Sequence, residues 1–283
     1  MNEMKIYKDR KIVLVTKHGK ESVIRPVFEG ETGCQLVTET RLDTDRLGTF
    51  SREIRRPKSQ AHTARLKIKK GMKLSKADIA VASEGSFGLH PTASIPWNVE
   101  LVMMYDRKED LEIYGIHESP DTNYGHRSVK TYAEALQFAQ EAGFPQHYLI
   151  IRPENEKSKH IIKDIDSFDK LRDGFFWCKS RSKSGNVFME TDMRAHANPT
   201  RMKNIEKATQ NLVSNLLSFC PECHVPGFIP REAIGGLPCE MCGRESEITM
   251  KLVYACGKCG HRQEQLFPNG RFASAEYCHH CNP

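Results

Sequence analysis

The chain has no apolar run near the ~18 residues of a membrane-spanning helix, so no such span is expected. Its start, MNEMKIYKDRKIVLV, has a short apolar run and no small-residue cleavage site, so no secretory signal is expected either. Acid is nearly missing from one stretch: between Arg52 and Lys76 stand ten Lys or Arg residues and one acid, Glu53. Cysteine is nearly missing from the first 219 residues, where Cys34 and Cys178 stand without a partner motif and read as packing or surface thiols. These gaps leave a cytoplasmic protein with no membrane partner as the expectation. At 283 residues it is long enough for a sizeable core and a smaller appended unit.

The cysteines that are present are concentrated. Eight of the ten form four C-x-x-C pairs after residue 219: Cys220/Cys223, Cys239/Cys242, Cys256/Cys259 and Cys278/Cys281. Each pair can grip one side of a tetrahedral ion, and two pairs close a four-cysteine site. A disulfide framework needs an oxidising compartment, and nothing in the sequence points to export. Two structural Zn2+ ions are therefore expected, with redox chemistry or an iron–sulfur cluster as the alternative. Eight thiolates and two Zn2+ would add −8 and +4 to the formal +6, leaving about +2. That low total weakens any nucleic-acid argument made from overall charge.

The spacing leaves two pairings open. The stretch CEMCGRESEITMKLVYACGKCG reads as a ribbon, with two glycine-followed knuckles around a β-rich run. This prefers a nested arrangement, Cys239/Cys242 with Cys256/Cys259 and Cys220/Cys223 with Cys278/Cys281. A sequential arrangement has acceptable spacings too. His224, His261, His279 and His280 read as solvated loop residues, because the thiols already saturate both sites.

Residues 1–218 read as an α/β domain, a mixed sheet with flanking helices, followed by a double zinc-ribbon domain over 219–283. Strands are expected at 11–16, 34–39, 78–83, 98–106, 111–118, 147–152 and 186–191. Helices are expected at 22–30, at 59–72 with a stop at Gly71, at 132–143 behind a Thr131–Glu134 capping box, and at 167–180. The stretch ETDMRAHANPTRM then leaves a strand and enters a long helix. Asn198 suits its N-cap and Pro199 its first position, with Ile205, Ala208, Leu212 and Leu216 on the apolar face.

Ligands of open α/β sheets bind beyond the strand ends, and several strand ends here carry reactive groups. One end carries His18, Lys20 and Glu21. Others carry Asp43 and Asp45, then Glu84, Ser86 and His90, then Asp192, Arg194, His196 and Arg201. Converging on one cleft, Glu84, Asp192 and Asp43 or Asp45 would hold Mg2+ or Mn2+, and Lys20, Arg194, Arg201 and Ser86 would bind phosphate. His196 would act as general base or acid, since imidazole titrates near neutrality. Each residue also has a plain reading, as a turn former, an ion-pair partner or a structural histidine. The case rests on their shared location.

DTDRLGTFSREIRR, ASEGSFGLHP, ETDMRAHANPTRM and the final CHHCNP together resemble an uncharacterised bacterial family with an α/β domain and C-terminal zinc-ribbon cysteines. This resemblance implies the architecture and no activity. A partial resemblance over residues 14–88 is to the inosine/xanthosine triphosphate pyrophosphatases. VTKHGKE, GTFSRE with ARLK, and ADIAVASEG follow that family's motif order. It implies a phosphate loop at Thr16 and Lys20, with Glu53 and Glu84 as counterparts of the Mg2+-holding acids. The family's Asp-Ser-Gly is replaced by Ser83-Glu84-Gly85. The expectation is a metal-dependent enzyme, a hydrolase of a phosphorylated small molecule or nucleotide. The alternative is a nucleic-acid-binding or adaptor protein that uses the basic 52–76 segment and the ribbons.

Overall fold

The computed structural model describes residues 6–48 and 59–283, and the chain divides into two compact units, Met1–Val213 and Ser214–Pro283. The first unit holds two sheets. One has the order β2-β1-β3-β4-β5, built from β1 (Lys11–Val15), β2 (Gln35–Glu39), β3 (Ile79–Leu89), β4 (Pro96–Asp106) and β5 (Leu111–Ser119). β1 runs parallel to β2 and β3, and β3, β4 and β5 form an antiparallel meander. Residues 12–15 are all buried, so β1 reads as a continuous apolar run.

Side-chain alternation decides what covers each face. Val13, Val15, Ala80, Ala82, Leu101 and Met103 pack against Ala64, Ile68 and Met72 of α2 (Gln60–Ser75). The opposite face carries Ser83 and Gly85, with Val102 and Glu100 beside them on β4 and Gly115 beside Val102 on β5. α5 (Pro199–Leu216) lies on this second face. A Cβ at Gly115 would stand 2.1 Å from the Leu212 nitrogen and 2.3 Å from the Ala208 oxygen, so helix and strand backbones touch there.

The second sheet has the order β6-β9-β7-β8 and is antiparallel throughout: β6 (His126–Val129), β7 (Leu149–Pro153), β8 (Ile162–Ile165) and β9 (Val187–Thr191). Ala135 and Phe138 of α3 (Tyr132–Glu141), with Leu171 and Phe175 of α4 (Phe168–Arg181), pack on Leu149, Ile151, Val187 and Met189. The capping box forms as read, Thr131 accepting from the Glu134 amide at 3.2 Å while Glu134 accepts from the Thr131 amide at 3.2 Å.

Three expectations need correction. The strand placed at 78–83 continues to Leu89, so Glu84, Gly85 and Ser86 lie within β3 and not in a loop beyond it. The second helix passes Gly71 and ends at Ser75. Gly71 is there for packing: a Cβ would stand 2.2 Å from a methyl of Val15. The loaded strand ends belong to two sheets and not to one edge of a single sheet.

α1 (Glu21–Thr32) follows β1 through the loop at His18–Lys20 and carries Pro26 inside it. The second unit is a three-stranded antiparallel sheet, order β10-β11-β12, of β10 (Ile229–Ile234), β11 (Lys251–Ala255) and β12 (Arg262–Leu266). Among the described residues no helix is long and apolar enough to cross a membrane.

Candidate functional site: two cysteine metal centres and a buried charged cluster

All eight paired cysteines gather into two clusters, Cys220, Cys223, Cys256 and Cys259, and Cys239, Cys242, Cys278 and Cys281. The pairing is interleaved, first knuckle with third and second with fourth. It replaces both the nested and the sequential expectations. The β-sheet is the cause. Ile229 of β10 pairs with Ala255 of β11, which sets the knuckle before β10 beside the knuckle after β11. A bridge between Cys239 and Ala273 does the same for the other two.

The sulfur geometry suits zinc. A tetrahedral ion with Zn–S of about 2.3 Å needs S···S separations of about 3.8 Å. The Sγ atoms stand 3.7 and 3.5 Å apart across the first cluster, and 3.9 and 3.6 Å across the second. All four knuckles close by one turn: the amides of His224, Gly243, Gly260 and Asn282 each donate to the first cysteine's carbonyl, at 2.8–3.1 Å. Gly243 and Gly260 hold the left-handed conformation expected of them (φ 71° and 74°), and His224 holds it at the first knuckle (φ 56°). Four thiolates per ion leave no open coordination position, so both centres are structural in design.

The first unit buries an unusual number of charges around β3 and β4. Arg201, in the first turn of α5, is 2% exposed. Its Nε donates to Glu100 Oε1 at 2.8 Å, and its Nη1 donates to the Met193 carbonyl. Asn98 donates to the same Glu100 oxygen at 3.2 Å, and Asn204 donates to Asn98 Oδ1 at 2.8 Å. Gly85 makes room for the pair, because a Cβ there would come 2.5 Å from Arg201 Nη2 and 2.7 Å from Glu100 Oε1. Lys20 enters the same face from the end of β1 and donates to Ser83 Oγ at 3.0 Å. On the other face, Lys67 of α2 pairs with Glu84 at 2.5 Å.

Lys20 is the most perturbed base of this group. Burial pushes its pKa down from 10.5 to about 7, and the positive charges of Arg201 and Lys67 push the same way. Glu84 and Glu100 oppose the fall without cancelling it. A lysine shifted this far toward neutrality is much easier to deprotonate than a solvated one.

The loop after β9 meets the loop after β1, but its groups are engaged locally. The His18 and His196 rings stack with centroids 5.0 Å apart. His196 also faces Asp164 at 3.2 Å. Asp192 is buried, and both its oxygens take hydrogen bonds from Arg194, at 2.5–3.1 Å. Arg194 extends to Asp164 as well, at 2.8 Å. The Asp192–Arg194 pair thus completes the entry to α5, whose Asn198 side chain accepts from the Arg201 amide at 2.9 Å. Asp43 is exposed and pairs with Lys17 and Arg46 at 3.0 and 3.4 Å. The side chain of Asp45, with Thr49, Arg52, Glu53, Arg55, Arg56 and Lys58, lies outside the described residues. Ser86 shares the face of Glu84 on β3. Among the described residues, the cysteine clusters are the only groups of potential ligands spaced for a metal ion.

Sequence reading gave no role to Asn98, Glu100 and Asn204, counted Lys67 only within the basic stretch, and met Ser83 only beside Glu84. The signal was a polar residue at an inward position of an otherwise apolar element. Asn98 and Glu100 alternate with Val99 and Leu101 in the strand NVELVMM.

These two assemblies define the class: a mixed α/β unit with a buried charged cluster, followed by a unit built on two four-cysteine clusters with the geometry to hold metal ions. The chain belongs to the family described as "Domain of unknown function (DUF6671)", whose profile matches residues 67–283. The match starts within α2 and takes in Lys67, Glu84, Glu100, Arg201 and all eight paired cysteines, while Lys20 precedes it. No curated protein and no solved structure shows a significant match. None of these comparisons supports the pyrophosphatase resemblance.

Proposed function

We propose that the first unit is an enzyme that binds a phosphorylated small molecule, a nucleotide in the leading case, at the end of β1 and hydrolyses its phosphate linkage. The observation that carries this reading is the placement of Lys20, a buried amine at the end of β1 that donates to Ser83 Oγ at 3.0 Å on the face that holds Arg201, where burial pushes its pKa down. The topology supports it, because the loop of Lys20 leaves the C-terminal end of a strand that is parallel on both sides, where α/β sheets bind ligands. Protonated Lys20 would meet phosphate oxygens, and Arg201 would add positive potential where charge develops in the transition state. The near-neutral pKa fits Lys20 to protonate the leaving oxygen. Thr16 and Lys20 match the phosphate loop of the resembling family, which favours a nucleotide. Mg2+ or Mn2+ would come with the substrate's phosphates, a usual route for such ions, and Glu84 is set aside as a ligand because it lies on the other face of β3, paired with Lys67 at 2.5 Å. Asp192 is dropped from the metal set because Arg194 takes both its oxygens.

The test is a phosphate-release screen of nucleotides and sugar phosphates with Mg2+ and Mn2+, using wild-type protein and Lys20→Met. Turnover that falls on the order of 10²-fold or more in the variant supports the reading. Equal turnover in both proteins, or none with any substrate, overturns it.

A second reading is favoured by one surface. Lys69, Lys70, Lys73 and Lys76 are exposed on or just after α2, and none has a carboxylate partner among the described residues. They suit a polyanion such as nucleic acid. Lys67, counted with them from sequence, turns inward to Glu84 and is not part of that face. Metal-independent nucleic-acid affinity with a steep salt slope, lost on charge reversal at Lys69, Lys70 and Lys73, would select this reading.

A further inference from the structure

The two faces of α5 do different things. Arg201, Ile205, Ala208 and Leu212 are all buried. Thr200, Lys203, Asn204 and Lys207, at helical spacing one step around, line a groove of about 580 Å3. Its other walls are the segment 120–123 after β5 and the end of α3 with His147. This volume lies in the range of small-molecule sites.

The chemistry of the walls is one-sided. Lys203 and Lys207 are exposed, and neither has a carboxylate partner among the described residues. Of the two lining acids, Glu141 is already bound to Arg127 at 2.7 Å. Asp121 opposes two lysines alone. The walls between the charges are fixed. His147 spans the Gly143 carbonyl at 3.3 Å and the Thr200 hydroxyl at 2.9 Å. Asn204 is tied to the Asp121 carbonyl at 2.9 Å, and Asn123 to the Ala142 carbonyl at 2.9 Å. A preformed polar groove with two exposed ammonium groups facing a single unengaged carboxylate is matched by a small anion bearing several oxygens.

We propose that this groove binds the phosphate of a small phosphorylated molecule, with Lys203 and Lys207 as its anion contacts. The inference does not rest on the Lys20 reading, because the groove is lined by the neighbouring stripe of α5 and neither Arg201 nor Lys20 lines it. The two places are joined by a short polar chain. Asn204 forms the groove wall and holds Asn98, which holds Glu100, the partner of Arg201. Occupancy of the groove therefore bears on the hydrogen bonds that position Arg201.

The experiment is calorimetric titration of inorganic pyrophosphate and AMP into the full chain carrying Lys20→Met, which removes the other proposed phosphate contact. Saturable binding is expected in that background. Adding Lys203→Ser and Lys207→Ser should weaken it at least about tenfold without moving the thermal midpoint, since both side chains are exposed. No binding in the Lys20→Met background, or unchanged affinity in the triple variant, would overturn the proposal. Preference for a single-stranded oligonucleotide over pyrophosphate and AMP would overturn it too, in favour of a nucleic-acid groove. Loss of turnover in Lys20→Met with intact groove binding separates the fate of the two sites.

Discussion

Glu100 and Arg201 illustrate the residue scale best. Two opposite charges, each almost wholly out of water, are tolerated only while both are present. Glu100→Leu leaves a guanidinium buried without its carboxylate. It is expected to cost on the order of 3–5 kcal/mol in urea unfolding. The double variant Glu100→Leu/Arg201→Met should cost clearly less than the sum of the two single changes, and simple additivity would contradict the pairing. Lys20 makes a prediction of the opposite sign. Its folded pKa, about 7, lies below its ordinary 10.5. Between those values the unfolded chain holds a proton that the folded chain does not, so stability rises with pH across that window. Below pH 7 the full penalty of burying the charge is present. One such group gives a slope of up to about 1.4 kcal/mol per pH unit. Comparing wild type with Lys20→Met from pH 7 to 10 should show that slope in the first and its loss in the second.

Elements were legible where local chemistry and burial agree. The Thr131 capping box, the Asn198–Pro199 helix entry and the apolar runs of β1 and β7 each state one structure. β6 and β8 were missed because HRSV and IKDI are short and carry no decisive period. β3 was cut short because Gly85 and Gly88 read as loop residues. Gly85 is instead where a strand passes under the Arg201–Glu100 pair. The same logic governs Gly115, where α5 touches the sheet. Gly115→Ala forces a methyl into the helix backbone and should destabilise the first unit by about 3 kcal/mol or more, read by thermal unfolding. An unchanged midpoint would mean that α5 does not sit on β5 as described.

At the scale of the whole molecule, cysteine count announced two four-cysteine clusters, but spacing could not choose their pairing. Strand register made that choice, and register is a long-range property. Interleaving has a consequence. Each cluster closes a loop containing a knuckle of the other, so loss of one ion is expected to loosen the other. Elemental analysis of protein purified without added metal should find close to two zinc equivalents. Cys223→Ser should reduce retention of both ions and make residues 214–283 sensitive to protease. Clean loss of one ion with full retention of the other would argue against interleaving. The candidate site was legible in part. Lys20, Glu84 and Arg201 were named from sequence, and Arg201 shares a face with Lys20. Asp192 and Arg194 turned out to be partners of each other, which no pattern of residue types could reveal. The central claim is that a buried, near-neutral lysine at the end of β1 meets phosphate. The most direct measurement is an NMR titration of the Lys20 Cε resonance, assigned by its loss in Lys20→Met, without and with pyrophosphate. The account predicts a midpoint near 7 in the free protein and a rise on adding the anion. A midpoint near 10.5 that pyrophosphate does not move would contradict it.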